Sequence, residues 1–324
     1  MAKPRPIFDD MPAHVKEKVL QTLDLNVRIK MRQFSKSIRD IVDKFIKDNM
    51  ELEFFTSPLK VTMKMRENDK TYRIEYINED TGCKIESWKI EKREGNIGLI
   101  YRRKKFFLKD ENFLKVALSH LAYIVKAPKR HFEFLGLTNH NQEEIWQLDK
   151  FLPDLKHQLS CKTLLLEGFG NENSVVSVLS SLQPGILKDI FIHFDFRYLT
   201  VSHIANLEQW KRAVMVFFVV KVSEPFVASD WTHLKTLRIS TKVVTLENAE
   251  LLFQSALNRG EQFEKCEILI EELDCLRITE HFSQLPGFRR DFQHLCIDIP
   301  GTEDELVITP IIPYFMIWKR PRRQ

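Results

Sequence analysis

The sequence is short of glycine. Only 10 of its 324 residues are glycine, about 3% where soluble proteins usually have about 7%. Folds that wrap phosphate groups in glycine-rich loops are therefore not expected. Neither GxxxxGK[ST] nor GxSxG occurs, and Gly168-Phe-Gly170 lacks the third glycine of a dinucleotide-binding turn. The sequence thus offers no motif of these enzyme classes.

Long apolar runs are also missing. The longest, Ala213 to Val220, has eight residues, whereas a membrane-spanning helix needs about 20. The first residues, Met1-Ala2-Lys3-Pro4-Arg5-Pro6, contain no apolar stretch of the kind found in secretory signals. We therefore expect neither a signal peptide nor a membrane partner.

Cysteines are few and widely spaced. The five are Cys83, Cys161, Cys266, Cys275 and Cys296, and no CxxC pair exists. This pattern predicts reduced thiols in an intracellular protein, cytoplasmic or nuclear. His193-Phe-Asp195 puts two possible metal ligands on one strand face, but no third ligand has a suggestive spacing. We predict no metal, no cofactor and no catalytic residue.

Charge is unevenly distributed. Residues 1–50 and the tail 319–323 are each net +4, whereas the 268 residues between them are net −4. A broad nucleic-acid-binding face is therefore not expected. Two basic clusters, Arg102–Lys105 and Lys319–Arg323, could still contact phosphate or act as a nuclear address. A solvated strand end and a frayed terminus are the simpler explanations.

The first fifty residues predict three short helices. Pro12 suits a first helical position, and Val15, Val19 and Leu23 recur on one helical face. Asn26 can cap a second helix, and Ser35 or Ser37 a third. Three helices in about 40 residues cannot bury all their apolar faces against one another. A partner, or a later part of the chain, should cover the rest.

The same segment resembles an F-box. The resemblance runs from about Phe8 to Lys44 and rests on an ordered set of short motifs: Met11-Pro12, Val15, Val19-Leu20, Leu23-Asp24, Ile29 to Lys36, and Ile38-Arg39. Met11 stands where the family has leucine, Leu25 where many members have proline, and the tryptophan common near the end is absent. The segment is similar to the F-box variant of a large nematode-expanded family that carries an FTH-type C-terminal region.

This resemblance implies a partner. F-boxes bind the Skp adaptor of cullin-RING ubiquitin ligases. The matching positions expected at that contact are Met11, Pro12, Val15, Val19, Leu23, Ile29, Met31 and Phe34. A helical module with surplus apolar surface agrees with binding to an apolar groove. The alternative is a three-helix cap packed only on its own chain.

Residues 51–127 predict an antiparallel meander. Leu59, Val61, Met63 and Met65 alternate with polar residues, the pattern of a half-buried strand. Strands are expected around 72–76, 83–90 and 97–101. A helix should follow Asp110, with Phe113, Ala117, Leu118, Leu121 and Val125 inward, and Pro128 ends it. We predict that this segment braces the F-box against the C-terminal part of the chain.

A short pattern recurs from residue 132 onward: apolar, two residues, apolar, one residue, apolar. Its seven copies begin at Phe132, Cys161, Leu187, Trp210, Leu234, Phe263 and Phe292, at intervals of 23 to 29 residues. This spacing is typical of leucine-rich repeats. Helix-like segments lie between the copies, with Ser174 and Thr245 as possible caps. We predict an irregular leucine-rich-repeat-like α/β stack, with a mixed sheet backed by helices as the alternative.

The sequence predicts an α+β chain in four parts: an F-box (1–50), a meander with a helix (51–127), repeats resembling an FTH-type region (128–318) and a basic tail (319–324). The leading hypothesis is a substrate receptor without chemistry of its own. The F-box would hold the Skp adaptor, and through it the cullin-RING ligase. Loops and strand ends of the repeats would bind a target protein, with His193, Asp195, Arg238 and Lys242 as candidates. An enzyme of unrecognised class and a nucleic-acid-associated scaffold remain the alternatives.

Overall fold

A computed structural model describes residues 11–22, 49–67, 70–93, 96–125, 130–140, 158–169, 172–193, 201–222, 226–272, 275–291 and 294–322. The described residues form fifteen strands and few long helices. The chain divides into two compact units, Met1–Cys161 and Lys162–Gln324. Each contains both parallel and antiparallel strand pairs.

The first unit contains a helix, a five-stranded run, a second helix and a returning strand. Helix α1 is Ala13–Thr22, and strands β1 to β5 are Asn49–Ser57, Lys60–Glu67, Lys70–Glu79, Gly82–Arg93 and Asn96–Lys109. Helix α2 is Phe113–Val125 and strand β6 is His131–Asn139. Strands β1 to β5 pair antiparallel in chain order, and β6 pairs parallel with β1. The strand order is therefore β6-β1-β2-β3-β4-β5.

Alternation and helical spacing explain these elements. In β2, Val61, Met63 and Met65 are fully buried, because successive side chains of a strand point to opposite faces. Helix α2 begins after Asn112, whose Oδ1 accepts a hydrogen bond from the Lys115 amide at 2.9 Å. The residues predicted to face inward are buried apart from the partly exposed Leu118. Helix α2 packs on β2, β3 and β4.

The second unit combines a parallel and an antiparallel part. Strand β7 (Ser160–Glu167) crosses the boundary between the units; β8 to β11 are Asp189–His193, Met215–Val222, Thr236–Val243 and Lys265–Glu272. Strands β12 to β15 are Arg289–Asp291, His294–Asp298, Asp304–Ile311 and Tyr314–Pro321. Strands β7 to β11 pair in parallel. Strand β15 then pairs antiparallel with β11, and β14, β13 and β12 follow outward in turn.

Short helical segments separate the strands of the second unit along the chain. They are α3 (Glu172–Ser180), α4 (Ser202–Ala205), α5 (Glu208–Lys211), α6 (Leu246–Arg259) and α7 (Cys275–Ser283), with 3-10 turns at Ala228–Asp230 and Gly260–Gln262. Thr245 caps α6 as predicted, since its Oγ1 accepts from the Asn248 amide at 3.2 Å. The prediction for Ser174 is wrong, because this residue is buried inside α3, which begins at Glu172.

The predicted leucine-rich-repeat-like α/β stack is wrong. The first repeat strand, β6, pairs with β1 at the start of the meander. Leu295 and Ile297 of the last repeat lie on β13, which pairs antiparallel with β12 and β14. Strand β15 pairs antiparallel with the other side of β11. The recurring pattern was misleading because apolar residues two apart mark any strand with one buried face. The protein is mostly β: the described strands form mixed sheet with few helices and no leucine-rich-repeat-like stack.

Candidate partner-binding surfaces

Helix α1 and the two residues before it include four of the residues predicted to bind the Skp adaptor. The Pro12 carbonyl accepts hydrogen bonds from the amides of Val15 at 2.9 Å and Lys16 at 3.1 Å, which starts the helix. Pro12 is exposed, and Met11, Val15 and Val19 are partly exposed, whereas the charged Lys16 is only 8% exposed. Two valines of this helix therefore keep solvent-accessible surface.

The other predicted adaptor contacts lie outside the described residues. They are Leu23, Ile29, Met31 and Phe34, and the second and third predicted F-box helices fall in the same part of the chain. Among the candidates for target binding, Asp195 also lies outside the described residues.

Three target-binding candidates lie on one face of the second unit's sheet. His193 ends β8, and its Nδ1 lies 3.3 Å from Glu167 Oε1 on β7. Arg238 on β10 lies with its Nε 3.2 Å from Glu267 Oε1 on β11. Lys242 is exposed four residues further along β10. Alternate residues of a strand share a face, so Arg238 and Lys242 point to the same side.

A row of cross-strand neighbours crosses this face. It runs through Leu165, Phe191, Phe217, Arg238, Glu267 and Met316, each aligned with the next on the adjacent strand. The rings of Phe191 and Phe217 lie 6.0 Å apart between centroids. The Arg238 guanidinium lies 4.8 Å from the centre of the Phe217 ring, within cation–π range. All six side chains keep some solvent exposure.

Sequence reasoning missed the apolar part of this face. Val216 and Phe218 are buried, while Phe217 is partly exposed and Val219 is 47% exposed. In the sequence these residues form a continuous apolar run, so no alternation with polar residues marked which ones face outward. One sequence signal was available. In a strand, Val216 and Phe218 must share one face, so Phe217 between them must lie on the opposite face.

No group of three or more histidine, cysteine, aspartate or glutamate side chains that could hold a metal ion occurs in the described part of the chain. No helix within the described residues is long and apolar enough to cross a membrane.

All five cysteines lie in described segments, and none of them forms a disulfide bond. Cys83, Cys161, Cys266 and Cys296 are buried, whereas Cys275, at the start of α7, is partly exposed. Burial raises the pKa of Cys83 to about 11 and that of Cys266 to about 12. Because the thiolate is the nucleophile, these buried thiols are poorly reactive at neutral pH.

We therefore expect a thiol reagent to distinguish Cys275 from the other four. In the native protein, maleimide should label Cys275 first, and denaturant should make all five cysteines reactive, as measured by mass spectrometry of peptides. The variant Cys275→Ser should lose the fast labelling. Equal rates at Cys266 and Cys275 in the native wild type would contradict the described burial.

Comparison with known proteins connects both surfaces to families. The F-box domain family matches residues 8–49, and the FTH domain family matches residues 142–285. The chain is 22% identical over 302 residues to F-box A protein 224 of Caenorhabditis elegans, a match that covers 89% of this chain and 72% of that relative. No solved structure matches the chain. Helix α1 lies in the F-box match, and His193 and Arg238 lie in the FTH match.

Proposed function

We propose that this chain, which is an F-box protein with an FTH domain and a relative of F-box A protein 224, is the substrate-recognition subunit of an SCF-type ubiquitin ligase. Its F-box binds the Skp adaptor, which connects it to the cullin-RING ligase. The FTH-containing unit binds a target protein. Ubiquitin transfer belongs to the partner enzymes, and the chain itself only brings the target to them, inside the cell.

The observation that supports adaptor binding most directly is the surface of α1. Amphipathic helices of soluble proteins usually turn their apolar stripe to the core. Here Pro12 is exposed and Val15 and Val19 keep part of their surface accessible to solvent, while Lys16 is buried. An apolar helical surface of this kind fits the apolar groove of a partner. We assign the matching F-box positions Leu23, Ile29, Met31 and Phe34 to the same contact.

The face of the second unit's sheet supports target binding. It combines partly exposed aromatic rings, Phe191 and Phe217, with the imidazole of His193 and the charged residues Arg238 and Lys242. Phenylalanine and arginine are among the residue types enriched at protein–protein interfaces. We propose that the target contacts this face, together with Asp195.

Adaptor binding is tested with the purified full chain and the purified Skp adaptor. The double variant Pro12→Asp/Val15→Asp puts two carboxylates into an apolar contact, so we expect its Kd, measured by calorimetry, to rise by at least about 30-fold. The matched control is His14→Asp, since His14 is an exposed neighbour on the same helix, and its Kd should change by less than about threefold.

Two results would contradict the proposal. One is unchanged adaptor affinity in the double variant while circular dichroism shows an intact fold. The other is an equal loss in His14→Asp, which would indicate a general effect of negative charge rather than a buried apolar contact.

A further inference from the structure

Strand β5 forms an open edge of the first unit's sheet. Among the strands that the structure describes, it pairs with β4 alone, and this pairing runs from Gly82 opposite Lys109 to Arg93 opposite Asn96. An edge strand presents backbone N–H and C=O groups that another extended segment can pair with. The outer edge of β5 therefore has the geometry to accept a further strand.

The end of β5 is held firmly against β4. A Cβ atom built on Gly82 would lie 2.2 Å from the carbonyl oxygen of Leu108. Only glycine permits this close approach of the two backbones. The edge is therefore formed before any partner binds. Strand addition then has to order only the incoming segment, which lowers its conformational-entropy cost.

Residues 103–110 are all exposed. Phe107 and Leu108 are 47% and 38% exposed, although they are large apolar side chains on opposite faces of the strand. Because both faces are open here, an added strand would find apolar contacts on either side.

Charge selects which strand can be added. Strand β5 contains five basic residues, Arg102, Arg103, Lys104, Lys105 and Lys109, and no acidic residue. Glu86 on β4 is shared by Arg103, by Lys84 at 3.3 Å and by Lys105 at 3.6 Å, and Lys84 also lies 3.5 Å from Glu79. Two carboxylates cannot neutralise these three cations together with the exposed Lys104 and Lys109, so the edge keeps an excess of positive charge.

We propose that the outer edge of β5 binds an extended, acidic segment of a partner protein by strand addition. Opposite charges across neighbouring strands stabilise their pairing, and like charges directly opposite destabilise it. A second β5 strand is therefore disfavoured, whereas a strand with alternating acidic side chains fits. This surface lies in the first unit, whereas Arg238 lies in the second, and the proposal does not depend on adaptor binding.

The test uses the full chain and a fluorescent, end-capped peptide with alternating glutamate and valine residues. We expect binding at low salt by fluorescence anisotropy, weakened by added salt. The variant Lys104→Glu/Lys105→Glu should bind at least about 10-fold more weakly. The matched control is Lys211→Glu/Arg212→Glu, another pair of adjacent exposed cations, which should bind as the wild type does.

A second peptide separates strand addition from simple charge attraction. Methylation of alternate backbone nitrogens removes the donors along one edge of the peptide while its charge stays the same. We expect this peptide to bind the wild type at least about 10-fold more weakly than its unmethylated parent. This comparison needs no protein variant, so it holds even if the charge-reversed chain fails to fold.

Four outcomes would overturn the proposal. They are absence of peptide binding at low salt, equal binding of the methylated peptide, equal loss in the two charge-reversed variants, and binding of a single-stranded oligonucleotide in place of the peptide. Concentration-dependent dimerisation that is lost in Lys104→Glu/Lys105→Glu would instead assign the edge to a second copy of the chain and would also refute it.

Discussion

Replacement of Trp210 by alanine should lower the free energy of unfolding by about 3–5 kcal/mol, the range for large aromatic residues deleted from a core. Trp210 is 1% exposed and is among the largest fully buried side chains. Its ring lies 5.0 Å from that of Trp231 and 5.7 Å from that of Phe218, between centroids. The alanine variant would leave a cavity that these rigid rings cannot fill by small movements.

A hydrogen bond adds to the expected loss. The Trp210 indole Nε1 donates to the Asp230 carbonyl at 3.0 Å, and this acceptor would be left without that donor. The backbone carbonyl of Trp210, which alanine keeps, accepts a hydrogen bond from His233 Nε2 at 2.9 Å, so this bond is not part of the expected loss. Burial lowers the pKa of His233, so a neutral imidazole that donates through Nε2 is the form that fits the folded unit.

The change is measured by urea unfolding followed by far-UV circular dichroism, with hydrogen exchange of β9 and β10 as a local probe. The matched control is Trp88→Ala. Trp88 is partly exposed and lies between the guanidinium groups of Arg73 and Arg103, at 5.8 and 5.5 Å from its ring centre. We expect the control to lose only about 1 kcal/mol. Equal losses in both variants would refute the assignment of Trp210 as a core anchor.

Replacement of Glu305 by alanine should lower the free energy of unfolding by about 3 kcal/mol, at the lower end of the range for a broken buried ion pair. The Glu305 side chain is 1% exposed and contacts two guanidinium groups, that of Arg289 and that of Arg320, the latter at 2.6 Å. Without the carboxylate, Arg320 keeps Asp291 at 2.7 Å and Arg289 keeps Asp298 at 2.7 Å. These remaining pairs limit the expected loss.

Two further variants make this prediction specific. Glu305→Gln keeps an oxygen acceptor but removes the charge, so its loss should be smaller than that of Glu305→Ala. Glu303→Ala changes an exposed glutamate in the turn before β14 and should alter the unfolding free energy by less than about 0.5 kcal/mol. If Glu303→Ala and Glu305→Ala unfold at the same urea concentration, the buried charge network does not stabilise this unit.

Local patterns in the sequence identified the elements of the first unit after β1. Strand β2 agrees with the alternation from Lys60 to Arg66, and helix α2 agrees with the helical spacing from Phe113 to Val125. In both elements, burial of one face makes apolar residues recur at a regular spacing in the sequence. The match at residues 8–49 confirms the F-box resemblance. The individual adaptor contacts stay predictions, since they depend on a partner surface.

The pairing of strands that are far apart in the chain produces no comparable pattern in the sequence. The return of β6 to β1 and of β15 to β11 joins segments far apart in the chain, and an apolar residue at every second position does not specify its neighbouring strand. For the same reason, the sequence pattern placed Arg320 in a basic tail, whereas the residue lies on β15. Its partners Asp291 and Glu305 lie on other strands, so residue order alone gives no indication that its charge is neutralised there.

The position of β15 between β11 and β14 has a consequence during protein synthesis. Strands β11 and β14 leave the ribosome before β15 does, yet each takes β15 as a neighbour. Until it arrives, β11 and β14 each present an unpaired edge, which is a site of misassociation. Chaperone protection of this protein should therefore be needed until residues 314–321 have emerged.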